Sequence, residues 1–579
     1  MCGIIGYIGN QKAAEILLEG LKRLEYRGYD SVGMAVLDEK IEVRKDKGTI
    51  DEVAENLDFI SLKGNIAIGH SRWATHGAPC KVNAHPHEDS GGNVVLVHNG
   101  VIENYKELKE ELKNAGHEFK SETDSEVIAH LIEENLKKNK TLDAVRKAIS
   151  RLKGSYALAI LIAKDKDKVY VARKGSPLIL GIGQGEMFCA SDIPAMLKHT
   201  KTFVPLEDGD YGFIAKHGYE IFDISSGEKV ERKQITVDWN LEMAEKGGYP
   251  HFMLKEINDQ RHFIHETMAT DVSEARKLID KYKNVDVIAC GTSYHAGLLL
   301  SHLLSMQGKR AQTFIASDYS FVGQPNDDTI VIAITQSGET ADVLQAVKFA
   351  KKNNSKIIAI TNTVGSSITR ESDAVVYLNV GPEIGVAATK TFMAQLAVAY
   401  MLTVGKERLA DVPNIIEKML GTENEIKKIA YELKDKEDVF FLGRGINVPI
   451  AYEGSLKFKE ISYIHSEAYP GGELKHGTLS LIVDGVPIVV LAPDDNSASK
   501  MLGNLKETKA RGALVISLTN NKEIASESDY VIDLPRLEDP LLYPFALIVP
   551  LQLLAYHISV IKGNNPDKPR NLAKSVTVE

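Results

Sequence analysis

The chain has 579 residues, of which 44% are hydrophobic and 26% are charged, and its formal net charge is −10. This length predicts about four domain-sized units, and the composition excludes an intrinsically disordered, collagen-like or disulfide-scaffold protein. The acidic balance argues against nucleic-acid binding through a general basic field, although a local basic pocket for a small anion stays compatible with it.

The spacing of the cysteines and the apolar runs indicate the cellular compartment in which the protein is expected to work. Cys2, Cys80, Cys189 and Cys290 form no CxxC pair, which argues against a zinc ribbon or a thioredoxin-like site. Scattered cysteines without a secretory signal fit the reducing cytoplasm. Residues 541–561 contain no Asp, Glu, Lys or Arg and are long enough to span a bilayer. Because this run holds two prolines, a glutamine and a histidine, we interpret it as a buried core helix and expect no membrane association.

The first 240 residues predict a single α+β domain of layered sheets and helices. Strands grouped together with separate helices are typical of that class, and we place the domain at residues 2–240. The β-type runs are 66–74, 94–100, 156–163 and 168–174, and the helical patterns are 13–26 and 125–138.

Beyond residue 240, buried strands alternate with amphipathic helices, which predicts a doubly wound parallel sheet. A connecting segment is predicted at 241–276, with its polar linker at 246–250. Four stretches then recur in one order, which predicts two copies of an α/β domain at 277–418 and 425–565, followed by a tail at 566–579. The matching stretches are 286–293 with 438–445, 329–335 with 486–492, 349–363 with 507–521, and 372–378 with 528–534.

Cys2 is a candidate nucleophile because of its position after Met1. Removal of Met1 would place the α-amine of Cys2 beside its own thiol. An α-amine titrates near ~7.7–8, so one residue would supply both a nucleophile and a base. Taken alone this is a weak signal, since most residues at position 2 have no catalytic role.

Five motifs follow Cys2 in order: EYRGYDS, GHSRWATHG, NAHPH, HNGVIENY and SETDSEV. Together with Cys2 they resemble the glutaminase domain of the N-terminal-nucleophile amidotransferases. The resemblance implies a glutamine site that uses neither a metal nor a cofactor. The implied residues are Arg72, Thr75 and His76 for the substrate carboxylate, Asp124 for its ammonium group, and Asn99 and Gly100 for an oxyanion hole.

The same residues also have ordinary structural interpretations. Arg72 and Asp124 are typical surface ion-pair residues, and the Asn-Gly pair at 99–100 is typical of a hairpin turn. The His-Pro-His run at 85–87 suggests metal ligands, but no third ligand stands at a convincing spacing. We favour a loop that covers the glutamine site.

Two loops in the first α/β copy, at 291–297 and 335–342, each follow a buried strand and enter a helix. Small hydroxyl residues beside free helix N–H groups suit a phosphate, although each loop by itself is also an ordinary helix cap. Neither carries GxxxxGK[ST] or GxGxxG, which disfavours a nucleotide. The loops resemble the sugar-isomerase domain. The resemblance implies sugar-phosphate binding by Thr292, Ser293, Thr335, Gln336, Ser337 and Thr340.

Glu453, Lys457 and Glu460 share one predicted helix face, either as a solvated ion-pair ladder or as an acid–base group at a site. The tail at 567–579 shows no helical pattern, and terminal tails commonly fray. With its ending RNLAKSVTVE, however, nearly the whole chain resembles the family of glutamine–fructose-6-phosphate aminotransferases (isomerising).

This resemblance implies that glutamine and fructose 6-phosphate are converted to glutamate and glucosamine 6-phosphate, the first step of amino-sugar biosynthesis. It also implies a cytoplasmic homodimer in which the subunits share the sugar site and the tail caps it. Lys574 is implied to form an imine with the ketose C2, Glu460 to move a proton between C1 and C2, and His476 of the neighbouring subunit to assist ring opening. The other implied residues are Lys457 for the proton transfers, Trp73 as the gate of an ammonia channel at the glutamine site, and Val386 and Ala573 at the sugar site.

Two other functions stay open at this point. A phosphoribosyl-diphosphate amidotransferase would keep the glutaminase and change the acceptor, but the duplicated sheet and the KSVTVE ending argue against it. A sugar-phosphate-sensing regulator would not need Cys2 and Lys574 with their motifs, and the sequence contains no basic helix-turn-helix segment.

Overall fold

The first domain consists of two antiparallel sheets between two layers of helices. The computed structural model describes residues 2–73, 77–239, 243 and 245–577. The helices of this domain are α1 (Ala13–Arg23), α2 (Ile50–Asn56), α3 (Tyr105–Asn114), α4 (Glu126–Leu136) and α5 (Thr141–Ile149). The strands are β1 (Gly3–Ile8), β2 (Ser31–Leu37), β3 (Ile41–Lys47), β4 (Ile66–Arg72), β5 (His87–Glu88), β6 (Val94–Ile102), β7 (Gly154–Ile162), β8 (Val169–Lys174), β9 (Ile179–Ile182), β10 (Met187–Ala190), β11 (Thr202–Pro205), β12 (Asp210–Ala215), β13 (Gly218–Asp223), β14 (Lys229–Val230) and β15 (Ile235–Thr236).

The eight-stranded sheet has the order β15-β11-β9-β10-β1-β4-β2-β3, and the seven-stranded sheet has the order β14-β13-β12-β8-β7-β6-β5. Helix α1 buries Ala13, Leu17 and Leu21, spaced about one helical turn apart, against the first sheet. Helices α3, α4 and α5 cover the second sheet, and a third apolar cluster fills the space between the sheets. The predicted α+β layered domain is therefore confirmed.

Strand β6 contains the Asn-Gly pair for which the sequence left a hairpin turn open. Asn99 and Gly100 lie within this strand, paired with Ala157 and Tyr156 of β7, so the hairpin-turn interpretation is wrong. Gly100 has φ +127°, and a Cβ there would lie 2.1 Å from the Ser155 carbonyl oxygen. Only glycine fits this position, because the conformation and the space both exclude a side chain.

The remainder of the chain alternates strands and helices. Its strands are β16 (Asn284–Ala289), β17 (Arg310–Ile315), β18 (Thr329–Ile334), β19 (Lys356–Thr361), β20 (Ala374–Tyr377), β21 (Asp438–Gly443), β22 (His465–Pro470), β23 (Pro487–Leu491), β24 (Leu514–Thr519) and β25 (Tyr530–Asp533). Its helices are α6 (Phe252–Met268), α7 (Ser273–Lys281), α8 (Gly291–Met306), α9 (Tyr319–Val322), α10 (Ala341–Lys352), α11 (Ser367–Arg370), α12 (Lys390–Leu402), α13 (Val412–Leu420), α14 (Glu423–Leu433), α15 (Val448–Lys457), α16 (Ala498–Lys509), α17 (Lys522–Glu527) and α18 (Tyr543–Ile561).

These elements build two five-stranded parallel sheets with the same strand order. The orders are β17-β16-β18-β19-β20 and β22-β21-β23-β24-β25. The four predicted pairs of repeated stretches fall on β16 and β21, β18 and β23, β19 and β24, and β20 and β25. The sequence repeat therefore corresponds to a duplicated doubly wound domain.

One apolar cluster runs through both parallel-sheet domains and includes α6 and α18. Helix α6, which lies in the segment predicted to connect the domains, buries Met253 and Ile257 completely. In the described part of the chain, the helix at Pro540–Ile561 is long and apolar enough to cross a membrane, and 89% of its most apolar window is buried in the protein. The interpretation of 541–561 as a core helix is confirmed.

Candidate active sites

Cys2 stands directly before β1, where it contacts the end of β4. Its Sγ accepts a hydrogen bond from the Trp73 N–H at 3.2 Å and lies 3.4 Å from the Trp73 carbonyl oxygen. Burial raises the pKa of the Cys2 thiol. A buried thiol with a raised pKa needs a nearby base before it can act as a nucleophile.

Asn99 from the opposite sheet reaches the backbone of Cys2. Its Nδ2 donates to the Cys2 carbonyl oxygen at 2.8 Å and to Ser191 Oγ at 2.9 Å, while His70 Nε2 lies 3.0 Å from its Oδ1. Burial lowers the pKa of His70 to about 3, so the ring is neutral and Nε2–H is the donor to that oxygen. His70 therefore orients the Asn99 amide so that its N–H groups face the Cys2 side.

A cavity of about 220 Å³ opens beside Cys2. It is lined by Arg72 and Asp124, whose charges suit the two ends of a free amino acid. Asp124 Oδ2 accepts from the Ile102 N–H at 2.7 Å, which fixes that carboxylate. Of the residues predicted for the glutamine site, Cys2, Arg72, Trp73, Asn99, Gly100 and Asp124 line the cavity, whereas Thr75 and His76 lie outside the described residues.

The two histidines of the 85–87 run are buried, and one of them reaches this cavity. His85 lines it, and its ring lies 4.2 Å from that of His70 and 4.5 Å from that of His87 by centroid. Burial lowers the pKa of His85 well below its usual range. Burial also lowers the pKa of His87, so these rings are packed neutral groups, and that the segment covers the glutamine site stays a prediction.

In the described part of the chain, a different group brings possible metal-ligating atoms within 4.8 Å of one another: His117, His130 and Glu133. His117 lies 3.1 Å from Glu133 and 3.3 Å from Glu134, and His130 lies 3.2 Å from Glu133 and 3.7 Å from Glu126. Burial lowers the pKa of His130, but Glu126 and Glu133 outweigh it and raise the value. Every ring nitrogen of the two histidines faces a carboxylate oxygen within 3.7 Å, so this group is a cluster of polar side chains that contact one another.

A second cavity, of about 310 Å³, lies at the carboxyl ends of the first parallel sheet. Thr335 Oγ1 lies 2.9 Å from Thr340 Oγ1, and Thr340 is the N-cap of α10. Gly338 has φ +67°, and a Cβ there would lie 2.0 Å from Ser366 Oγ, so this turn requires glycine. The predicted sugar-site residues that line the cavity are Thr292, Ser293, Thr335, Gln336, Ser337, Thr340, Val386, Glu460, Ala573 and Lys574.

The predicted ladder of Glu453, Lys457 and Glu460 is buried, so its interpretation as a solvated surface feature is wrong. Lys457 Nζ lies 3.2 Å from Glu453 and 2.5 Å from Glu460, and it donates to Thr292 of the first parallel-sheet domain at 3.1 Å. A π-helical turn after α15 carries Glu460, which brings it to Lys457 and to the cavity.

The two carboxylates of this ladder have pKa values shifted in opposite directions. Burial raises the pKa of Glu460; Lys457 opposes this, and repulsion from Glu453 adds to it. Burial also acts on Glu453, but Lys457 and His295 outweigh it and lower the pKa. Of the two, Glu460 is therefore the carboxylate better suited to exchange a proton.

Lys574 in the tail is buried and fixed, with only 5% of its side chain exposed. Its Nζ donates to Glu383 Oε2 at 2.5 Å and to the Gly385 carbonyl oxygen at 2.7 Å. The frayed-tail interpretation is therefore wrong for this part of the chain. His476, by contrast, is exposed on a 3-10 turn (Glu473–His476) and does not line the sugar cavity of its own chain.

The tail forms the wall between the two cavities. Leu572, Ala573, Ser575 and Val576 line both of them. The Ser575 hydroxyl lies 2.8 Å from Ser337 Oγ. A smaller cavity of about 50 Å³ continues between the domains and is also lined by Ser575. The two candidate sites are therefore back to back, separated by one layer of the tail.

Several groups at these sites were not predicted from the sequence. His70 and Ser191 hold Asn99, and Arg27 Nε donates to the Cys2 carbonyl oxygen at 3.3 Å. Arg27 and His70 stand within the motifs EYRGYDS and GHSRWATHG, so closer attention to every polar residue of those motifs would have found them. Ser191 and Glu383 belong to none of the motifs considered.

The fold and the paired sites define a class, namely glutamine amidotransferases whose second half is a pair of sugar-isomerase domains. Family models agree: a glutamine amidotransferase domain matches residues 72–198, and a SIS domain matches residues 278–405 and 432–562. Over the full length of both chains, the protein is 50% identical to the glutamine–fructose-6-phosphate aminotransferase (isomerizing) of Thermococcus kodakarensis and 50% identical to that of Pyrococcus horikoshii.

A solved structure supports the same assignment for the second half. The C-terminal domain of glucosamine-fructose-6-phosphate aminotransferase from Francisella tularensis is 37% identical, with a TM-score of 0.52, and the match covers 56% of this chain and 100% of that one. The chain belongs to the glutamine–fructose-6-phosphate aminotransferase (isomerizing) family, and it is an enzyme.

Proposed function

We propose that this enzyme transfers the amide nitrogen of glutamine to fructose 6-phosphate, releasing glutamate and glucosamine 6-phosphate, and so begins amino-sugar synthesis. The observation that carries the proposal is the shared tail wall. A glutamine-sized cavity beside Cys2 and a cavity with hydroxyl-rich loops beside Lys574 are separated only by residues 572–576. Ammonia released in the first cavity therefore has a short internal path to the second.

In the glutamine cavity, removal of Met1 frees the α-amine of Cys2, which takes the thiol proton. The thiolate attacks the glutamine amide carbon, and the oxyanion is stabilised by the Gly100 N–H and by one Asn99 N–H, which exchanges its bond to Ser191 Oγ for one to the oxyanion. Arg72 and Asp124 hold the carboxylate and the ammonium group of the substrate, and Thr75 and His76 assist with the carboxylate. The oxyanion then collapses, the Cys2 α-ammonium returns its proton to the leaving nitrogen, and the C–N bond breaks to give ammonia and a thioester. Hydrolysis of the thioester releases glutamate, and Trp73, in contact with Cys2, controls the passage of ammonia.

In the sugar cavity, the loops at 291–297 and 335–342 bind the sugar phosphate. Lys574 forms an imine with C2 of the open-chain ketose, and ammonia displaces the lysine at that carbon. Glu460 moves a proton between C1 and C2, supported by Lys457. His476 comes from a second copy of the chain and assists ring opening, so the working unit is a homodimer, which we place in the cytoplasm.

An assay of the purified protein with glutamine and fructose 6-phosphate tests this function. We expect glutamate and glucosamine 6-phosphate in equal amounts without any added metal or cofactor. Phosphoribosyl diphosphate replaces fructose 6-phosphate in a parallel reaction, where we expect no aminated product. Amination of the ribose substrate, or glutamine hydrolysis with no aminated sugar, would contradict the proposal.

The phosphate loop has its own test. Replacing Ser337 and Thr340 together by alanine should raise the KM for fructose 6-phosphate by at least roughly tenfold, because a hydrogen bond to a charged group contributes about 1.5–3 kcal/mol. Glutamine hydrolysis should change little. Ser497→Ala is the matched control, since Ser497 is the N-cap of α16, the corresponding helix of the second copy. An unchanged KM would mean that the loop at 335–342 is only a helix cap.

A further inference from the structure

Glu383 is the group closest to the proposed imine nitrogen. Its Oε2 lies 2.5 Å from Lys574 Nζ, and its side chain is completely buried. The Thr389 and Thr391 N–H groups each donate to its Oε1 at 3.0 Å, and the Thr391 hydroxyl donates to Oε2 at 2.7 Å. A carboxylate held by this many donors has a fixed position, so it also fixes where Nζ lies.

A lysine must be a neutral amine before it can attack a carbonyl carbon. Lys574 is enclosed, and the oxygen atoms that accept its hydrogen bonds are Glu383 Oε2 and the Gly385 carbonyl. A backbone carbonyl oxygen is a far weaker base than a carboxylate, so of these two acceptors the carboxylate is the one that can take a proton from the ammonium group. The proton acceptor in direct contact with Nζ is thus Glu383.

We propose that Glu383 is the acid–base partner of Lys574, a role that rests on the imine of the proposed function. Glu383 takes a proton from the ammonium group as Nζ adds to C2, and it returns this proton as water leaves. In the first step, one N–H proton passes to Glu383 Oε2. The nitrogen lone pair forms the N–C2 bond, and the C2=O π pair moves to the oxygen.

The step then balances without any further reactant. A second nitrogen proton passes to the former carbonyl oxygen, which becomes a hydroxyl. Glu383 returns the first proton to this hydroxyl, the C2–O bond breaks and water departs. The nitrogen lone pair forms the C=N bond of a protonated imine, and Glu383 is again a carboxylate.

The charges around the pair are compatible with this exchange. Burial by itself raises the pKa of Glu383, but the Lys574 ammonium and the hydrogen bonds from Thr391 hold it at about 2. Once Lys574 is neutral, the ion-pair contribution is lost while the burial remains, so the carboxyl can keep the proton.

Three other ionisable groups act on this pair. Glu256 on α6 is raised to a pKa of about 7 by its burial and by the charge of Glu383, so it competes weakly as an anion. Burial lowers the pKa of Lys390 at the start of α12. Glu460, across the sugar cavity, also interacts with Lys574. Of the carboxylates Glu256, Glu383 and Glu460, Glu383 is the one whose pKa is held at about 2 and whose oxygen contacts Lys574 Nζ.

The test measures how fast the imine forms, by mixing the enzyme with fructose 6-phosphate, quenching with borohydride and locating the hexose-phosphate adduct by mass spectrometry. In the wild type the rate at Lys574 should change less than about threefold from pH 7 to 9. Glu383→Gln should slow it by on the order of 100- to 1000-fold at pH 7, rising about tenfold per pH unit, because an unassisted lysine loses its proton near pH ~10.4.

The controls separate an acid–base role from a structural one. Glu371→Gln, which removes the carboxylate from a surface pair with Lys351, should match the wild type. Glutamine hydrolysis and fructose 6-phosphate binding by Glu383→Gln should stay within about threefold of the wild type, because neither of them uses the Lys574 amine. A pH-independent loss, a loss of sugar-phosphate binding, or a wild-type rate at pH 7 in this variant would overturn the role of Glu383.

Two further outcomes are decisive. If Glu383→Gln does not fold, the wild-type pH profile alone decides: a flat profile supports the proposal, and a tenfold rise per pH unit overturns it. If the wild type forms no adduct at Lys574, the imine of the proposed function is rejected and Glu383 with it. A wild-type adduct with an unaffected Glu383→Gln variant rejects Glu383 alone.

Discussion

Replacing Lys574 by arginine should abolish glucosamine 6-phosphate formation, by on the order of 10³-fold or more, as expected for a residue that forms the covalent intermediate. Arginine keeps the positive charge beside Glu383, but its guanidinium cannot form an imine. Glutamine hydrolysis and sugar-phosphate binding should persist. The measurement is product formation together with borohydride labelling by fructose 6-phosphate.

Arginine is preferred to alanine here, because alanine would also leave the buried Glu383 carboxylate without its partner. Breaking a buried ion pair in that way typically costs about 3–5 kcal/mol of stability, which would obscure the catalytic effect. Lys562→Ala, an exposed lysine just after α18, is the control and should behave as the wild type. Normal synthesis by Lys574→Arg, or labelling of a different lysine in the wild type, would refute the assignment.

Replacing Cys2 by alanine should abolish glutamine-dependent synthesis by a comparable factor, on the order of 10³-fold or more, because no other thiol lines the glutamine cavity among the described residues. Binding of fructose 6-phosphate should be unaffected, since the tail wall lies between Cys2 and the sugar cavity. Mass spectrometry of the active wild-type enzyme should show that Met1 is absent, which frees the α-amine that acts as the base.

Cys80→Ala is the matched control, because Cys80 is a free, half-buried cysteine of the same domain that does not line either cavity. It should retain both activities. Full glutamine hydrolysis by Cys2→Ala, or an active wild type that retains Met1, would reject the proposed nucleophile and its base.

Much of the architecture could be predicted from local patterns in the sequence. Alternating buried strands and helices predicted the parallel sheets, and the recurrence of stretches such as 286–293 and 438–445 predicted the duplication, which β16 and β21 bear out. The long apolar run at 541–561 was correctly interpreted as a core helix. Each of these depends on neighbouring residues in one segment, so the signal survives in the sequence without knowledge of what packs against it.

Part of the candidate site could also be predicted from such local signals. The hydroxyl residues of the loop at 335–342 are a local requirement of anion binding, and they could be predicted from the chain. The role of Asn99 and Gly100 could not, because the same pair of residues is typical of a hairpin turn. The ladder of Glu453, Lys457 and Glu460 could not be classified in this way. Its spacing is the same on a solvated helix and in a buried site, and only the packing of α15 against α8 decides between the two.

By itself, then, the sequence determined the domain order, the duplicated sheets and the motifs from which the family could be inferred. Only the tertiary structure decided which polar groups meet: Asn99 contacts Cys2 across 97 residues, and Glu383 contacts Lys574 across 191. The tail, for which the sequence predicts fraying, separates the glutamine cavity from the sugar cavity because all three domains pack around it. Contacts between distant segments leave no periodic pattern, since each segment's own conformation is compatible with many partners and the packing of whole domains selects one.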